Sequence, residues 1–216
     1  MATSPFAAAR VTRVLPAGTR GVTVETDLHW HTEPGQFVML WLPRVDEKPF
    51  SLVDCNPVTL TIVNVGPFTA LMQGVRPGER LFLRGPFGRG FSISGQRPLI
   101  IGGGCGAAAL TLLCRRLWEQ GIAGTVALGG RTAEDVLLAE RFRVWGAEVF
   151  LSTDDGSAGE HGLITDLAGR LLATASYDQV YACGPSAMLE SVAELCRRHR
   201  VPGQVSREAY MRCGIG

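Results

Sequence analysis

The chain has 216 residues, 46% of them hydrophobic, and carries a formal net charge of +1 from 21 basic and 20 acidic side chains. That length and apolar content support a packed core in one large domain or two modest ones and exclude a disordered chain. The near-balanced charge leaves no basic stripe of the kind nucleic-acid binding needs.

Up to about residue 90 the sequence has a β rhythm. Short alternating or β-branched runs recur at 11–15, 21–26, 37–42, 50–55, 59–65 and 80–83. Turn formers separate them: Pro16–Ala17–Gly18, Pro34–Gly35, Asn56–Pro57 and Pro77–Gly78. Six short strands at this spacing predict a small antiparallel barrel. A ligand-free β-sandwich fits the pattern equally.

The rhythm changes after Gly95–Gln96–Arg97–Pro98. An apolar run at 99–101 leads into glycines and then a helix over 107–120, with Leu110, Leu113, Leu117 and Trp118 at helical spacing and Gly121 as its stop. A strand follows at 125–128. Thr132 then offers an N-cap, with Asp135 as a capping-box partner, for a helix ending near Gly146. Strands at 148–151, 179–182 and 204–205 alternate with helices at 165–172 and 186–198. This β-α alternation predicts a doubly wound parallel sheet. The longest apolar stretch, 99–114, is too short and too rich in glycine to be expected to span a bilayer. The first ten residues lack the pattern of a secretory signal. The six cysteines include no CxxC pair, so neither a zinc site nor a disulfide scaffold is expected, and a cytoplasmic location suits them.

Three stretches carry candidate chemistry. Gly102–Gly103–Gly104–Cys105–Gly106–Ala107 lies at a strand-to-helix junction, and Gly102, Gly104 and Ala107 fit the spacing of a dinucleotide-binding turn. Glycines there let the backbone approach a pyrophosphate, while the helix presents free N–H groups and the positive end of its dipole. They also permit plain helix–strand packing. The acidic residue that commonly grips the ribose is replaced by Gly129–Gly130–Arg131, so Arg131 either meets a 2′-phosphate or is a solvated surface arginine. Cys183–Gly184–Pro185 ends a later strand, where open α/β sheets bind ligands, or is a buried cysteine before a helix-starting proline. Lys48–Pro49–Phe50–Ser51 groups a cation, a ring and a hydroxyl at a strand start, an arrangement that needs no ligand to explain it.

In order along the chain these pieces resemble the ferredoxin–NADP reductase superfamily, and within it the electron-transfer subunits of class B dihydroorotate dehydrogenases. Lys48–Pro49–Phe50–Ser51 stands where that family has R-x-[YF]-S, and Gly85–Pro86–Phe87–Gly88–Arg89–Gly90–Phe91 is similar to its GPLGxGF turn. The glycine cluster resembles GGGxGxAPL, Thr153–Asp154–Asp155–Gly156–Ser157 its acidic loop, and Tyr181–Ala182–Cys183–Gly184–Pro185 its CGP motif. The chain departs from the pattern at Gly66–Pro67–Phe68–Thr69, where the family has G-x-G-T. Lys48 in place of arginine keeps the charge and loses the bidentate fork.

The resemblance implies an FAD-binding barrel over 1–96, an NAD(P)-binding domain over 97–205 and the start of a [2Fe–2S]-binding segment over 206–216. Flavin contacts are expected from Lys48, Pro49, Phe50 and Ser51, with Val63, Val65, Gly66 and Thr69. Thr69 is also expected to cap a short helix over 70–73, and Ser51 is the nearest to a catalytic residue. Nicotinamide-nucleotide contacts are expected from Gly102, Gly103, Gly104, Gly106, Arg131, Asp155, Cys183, Gly184 and Pro185. Cys213 resembles the first ligand of the cluster. A cluster usually takes four thiolates, so the chain as given is expected not to hold one alone, and its tail has the look of a truncated segment. The implied activity is electron transfer between NAD(H) or NADP(H), FAD, a [2Fe–2S] cluster and a catalytic dihydroorotate dehydrogenase-like subunit in pyrimidine biosynthesis. The expected assembly is heteromeric, without membrane or nucleic acid. A sister subunit serving another catalytic partner, a standalone flavin or ferredoxin reductase, and a non-catalytic nucleotide-binding module remain alternatives.

Overall fold

The computed structural model describes residues 6–207. The chain divides between Gly90 and Phe91 into two compact units.

In the first unit, β1 (Ala7–Pro16), β2 (Gly21–Thr26), β3 (Phe37–Leu42), β4 (Asp46–Cys55), β5 (Val58–Val63) and β6 (Arg80–Phe87) close into a barrel in the order β1-β2-β5-β4-β3-β6. Every pairing is antiparallel. Period-2 alternation turns Val38 and Leu40, Leu60 and Ile62, and Leu81 and Leu83 into one buried cluster. Helix α1 (Pro67–Met72) adds Phe68 and Met72 to that cluster from one helical face.

The helix begins three residues before the expected 70. Pro67, with its fixed φ, takes the first helical position. Thr69 therefore sits inside the helix, its Oγ1 accepting the Val65 and Gly66 amides at 2.9 and 3.0 Å and donating to the Gly66 carbonyl at 3.0 Å. Strand β4 also starts earlier than expected. Its residues 46–51 pair with β3 alone, and pairing with β5 begins only at Leu52. A proline in a half-paired stretch forfeits no ladder bond, which is why Pro49 is tolerated there.

The second unit runs β7 (Pro98–Gly103), α2 (Ala107–Glu119), β8 (Thr125–Gly130), α3 (Ala139–Val144), β9 (Glu148–Thr153), β10 (Glu160–His161), α4 (Ile164–Thr174), β11 (Gln179–Cys183), α5 (Ser186–His199) and β12 (Gly203–Ser206). The sheet is parallel throughout, in the order β10-β9-β8-β7-β11-β12. Ile100 packs with Leu110, Leu113 and Leu117 of α2, while Leu99 and Ile101 pack with Leu172 of α4 and Leu189 and Val192 of α5. Cover on both faces is why the strand is a continuous apolar run and does not alternate.

Residues 91–96 are bonded into this second unit. The Tyr181 hydroxyl accepts the Ser94 amide at 2.9 Å, and Ser92 exchanges bonds with the Gln204 side chain. The Asp178 carboxylate accepts the Gln96 and Arg97 amides at 2.7 and 2.9 Å.

The helix expected over 132–146 is broken. A 3-10 turn occupies Ala133–Asp135, Leu138 lies at φ 64°, and only α3 is helical. Val136, Leu137 and Leu138 are three consecutive apolar residues turned inward, which one helical face cannot bury. Among the described residues, no helix is long and apolar enough to cross a membrane.

Burial pushes the Asp178 carboxyl up, but the Gln96 and Arg97 amides outweigh that and hold it below its ordinary value of 3.8. A carboxylate held low stabilises the fold above its ordinary value and loses that contribution as pH falls through the lower, folded value. Asp178→Asn is therefore expected to lower the Tm at pH 7. The gap to wild type should close as the pH is taken below about 3.8, read by thermal unfolding over a pH series.

Candidate functional site

The unpaired side of β4 opens a cleft of about 560 Å³ against the segment that leads into α1. The volume lies within the range of roughly 300–1,000 Å³ typical of small-molecule sites. Lys48, Pro49 and Phe50 line one wall, and Val65, Gly66, Phe68 and Thr69 the other. Ser51 and Val63 are not among the lining residues. The Phe50 and Phe68 rings stack at 6.1 Å and 28°. Val45 and Val65, also in the lining, are 53% and 77% exposed, and a Cβ added at Gly66 would meet nothing within 4 Å.

At the rim, Lys48 Nζ lies 2.6 Å from Asp46 Oδ2, and this bond, with the Glu47 amide, holds the Asp46 carboxyl below its ordinary value. Apolar walls, open space over a glycine and a rim ammonium together fit a flat ring system with an anionic tail. The Thr69 hydroxyl already bonds the Val65 and Gly66 backbone, so its part is to shape this wall. Phe68 stands where a second glycine was expected, and sequence reasoning did not foresee that it backs Phe50. Its position one helical turn before Met72 was the available signal.

In the second unit, Gly102 and Gly103 end β7, Gly104–Gly106 form a 3-10 turn, and α2 begins at Ala107. A Cβ on Gly106 would fall 2.4 Å from the Cys183 carbonyl oxygen and 2.7 Å from the Gly184 nitrogen. The turns after β7 and β11 thus meet backbone to backbone. Met188 covers the junction, its sulfur 2.6 Å from a Cβ on Gly103 and its methyl 2.5 Å from one on Gly184. Met188 was also missed, because its spacing with Leu189 and Val192 looks like ordinary helix core. Cys183 is buried, with Pro185 following as the N-cap of α5. The strand order reverses between β7 and β11, and at such a switch point open α/β sheets bind their ligands.

Arg131 follows the end of β8, with a 76% exposed side chain whose Nε is 3.0 Å from Asp135 Oδ2. The capping-box role expected of Asp135 gives way to this ion pair. The Asp155 carboxylate accepts the Ser157 hydroxyl at 2.6 Å and the Ser157 amide at 2.9 Å, bonds that hold its carboxyl below the ordinary value. Ser157 Oγ accepts the Ala133 amide at 2.7 Å, and the Asp155 amide donates to the Arg131 carbonyl at 3.2 Å. The acidic loop and the turn after β8 are one bonded network. Among the described residues, no group of three or more His, Cys, Asp or Glu side chains could hold a metal. Cys213 lies outside the described residues.

Models of known protein families return no match to this chain. Individual relatives do match. The chain is 37% identical over 207 residues to the probable dihydroorotate dehydrogenase B (NAD(+)) electron transfer subunit of Methanocaldococcus jannaschii, spanning 96% of this chain and 79% of that one. It is 41% identical over 194 residues to the subunit of the same name from Methanopyrus kandleri, spanning 89% and 73%. This chain belongs to the family of dihydroorotate dehydrogenase B electron transfer subunits.

Among solved structures, an NADH-dependent reduced ferredoxin–NADP oxidoreductase superposes on this family member with a TM-score of 0.86 at 25% identity, over 97% of this chain and 79% of that one. The flavohem-like FAD/NAD-binding domain of Vibrio cholerae nitric oxide dioxygenase shares the fold, with a TM-score of 0.78 at 15% identity.

Two tests follow from the packing of this family member's glycine turn. Gly106→Ala must displace the Cys183 backbone and is expected to cost about 1–3 kcal/mol. Gly104→Ala meets no neighbour within 4 Å and strains only a φ of +52°, costing roughly 1 kcal/mol. Denaturant unfolding of both variants measures the order. Cys105 is exposed, whereas burial pushes the Cys114 thiol up to about 12. Iodoacetamide at pH 8 should modify Cys105 in the folded chain and reach Cys114 only after unfolding, as peptide mass spectrometry can show.

Proposed function

We propose that this chain is the electron-transfer subunit of a dihydroorotate dehydrogenase, passing electrons between a nicotinamide nucleotide and an iron–sulfur partner through FAD. The observation that carries this reading is the meeting of the β7 and β11 turns, where Gly106 lies against Cys183 at the switch point of the sheet. The cleft on the barrel supplies the second requirement, a site for a flat heterocycle beside a cation.

FAD, when bound, supplies exchange between the two-electron chemistry of nicotinamide and the one-electron chemistry of an iron–sulfur cluster. The chain's own part is positioning. Phe50, backed by Phe68, walls the ring system and keeps water from it, with Val65 at the edge. Lys48 offsets phosphate charge at the rim. In the second unit, Gly102, Gly103, Gly104 and Gly106 admit a pyrophosphate to the N-terminal end of α2. Cys183, Gly184 and Pro185 take the nicotinamide side, while Arg131 and Asp155 border the ribose. No general acid or base is assigned. The same reading places the chain in the cytoplasm within a heteromeric complex.

The purified chain is expected to show a flavin absorption spectrum that bleaches on anaerobic addition of NADH. Lys48→Ala should weaken FAD binding about tenfold, on the order of one charge-assisted hydrogen bond. A colourless protein that fails to take up added FAD would remove the flavin assignment.

A further inference from the structure

We propose that Asp135 is a specificity-determining residue: it pairs with Arg131 and so withholds from a ribose 2′-phosphate the guanidinium of the residue directly after β8. The inference rests on the nucleotide site proposed above and deepens it.

In a sheet of this order the adenosine ribose lies at the carboxyl end of the strand beside the glycine-turn strand. Here that strand is β8, and the residue after it is Arg131. An arginine at this point is the usual means of accepting a 2′-phosphate, so its presence alone points towards NADPH. Its surroundings reverse that expectation. Arg131 is the exposed member of its ion pair at 76% side-chain exposure, and Asp135, at 16%, is the largely buried one. Asp135 is seated by Gly130, where a Cβ would fall 2.7 Å from the Asp135 Cβ, so the aspartate packs directly on the end of the strand.

The neighbouring strand adds further negative charge. The Asp154 and Asp155 amides bond the Gly130 and Arg131 carbonyls at 3.1 and 3.2 Å, which ties the acidic loop to the same edge. Asp155 is held in place by Ser157, itself bonded to Ala133 within the 131–135 turn. A 2′-phosphate, with a charge of about −2, would meet these carboxylates and a guanidinium whose charge Asp135 already offsets. A ribose 2′-hydroxyl carries no charge and can donate to a carboxylate. The discrimination therefore comes from a repulsive element placed against the wrong ligand.

The experiment is calorimetric titration of NAD+ and NADP+ into the full chain as wild type, Asp135→Asn, Arg131→Ala and the double variant. Wild type should prefer NAD+. Asp135→Asn should raise the affinity for NADP+ relative to NAD+ about tenfold, the order of one charge-assisted hydrogen bond. Arg131→Ala alone should leave that ratio within about twofold of wild type, and in the double variant it should erase the gain. Should Asp135→Asn fold poorly, Asp135→Ser removes the same carboxylate and repeats the test. Wild type binding NADP+ as tightly as NAD+, or an unchanged ratio in Asp135→Asn, overturns the proposal. So does a loss of NADP+ affinity from Arg131→Ala alone as large as the loss it causes in the double variant. Failure of wild type to bind either nucleotide would overturn the nucleotide site itself, and this inference with it.

Discussion

Strands β7 and β11 lie side by side without an exposed residue between them, and the second unit is organised around that pairing. Two fully buried parallel strands need cover on both faces, which α2 supplies on one side and α4 and α5 on the other. Their onward connections leave in opposite directions, to β8 and to β12, so a crevice opens at their carboxyl ends. The turns that follow are then forced together. At Gly106 the space left by the Cys183 carbonyl admits hydrogen and nothing larger. The glycines here are a consequence of how closely two backbones approach, and that approach is what makes the same place accessible to a pyrophosphate.

The first unit arrives at a site by a different route. Its barrel closes, but residues 46–51 of β4 have a partner on one side only. Pro49 cannot donate a ladder bond, so it suits a stretch whose other edge is unpaired. Across the gap the chain turns at Gly66 into α1, which anchors itself by sinking Phe68 and Met72 into the barrel core. The same helix that closes the core thereby sets one wall of the cleft, and Phe68 serves both as filler and as backing for Phe50.

Among the described groups with shifted protonation, Cys114 and Cys196 are raised by burial in the core, Asp46, Asp155 and Asp178 are lowered by hydrogen bonds that shape loops or a rim, and Glu119 is lowered, against its burial, by Arg116 and Arg115 on its own helix. Glycine turns, apolar walls and a few fixed charges position a ligand and leave the chemistry to it, as expected where cofactors do the electron transfer.

Much of this was legible from spacing. The strands at 21–26 and 37–42 and the helix starting at 107 coincide with β2, β3 and α2, because period-2 and period-3.6 burial leave a strong imprint on local sequence. The order of strands and helices apart from the short β10, the glycine turn at the end of β7 and membership of the family were likewise legible in residues in a row. What local pattern could not decide were contacts between residues far apart in the chain. The 132–146 helix failed because Val136 and Leu138 pack against the core while Leu137 between them is also buried, a demand that only the packed sheet makes. Met188 carried no signal beyond an apolar helix position until Gly103 and Gly184 were found beneath it. Arg131 was ambiguous by sequence, since its meaning lies in the Asp135 carboxylate beside it and in the loop that β9 brings alongside. Residue type and periodicity determined the elements and their order; only the tertiary structure decided which backbones touch and which charges are already paired, because those depend on distances that spacing does not encode.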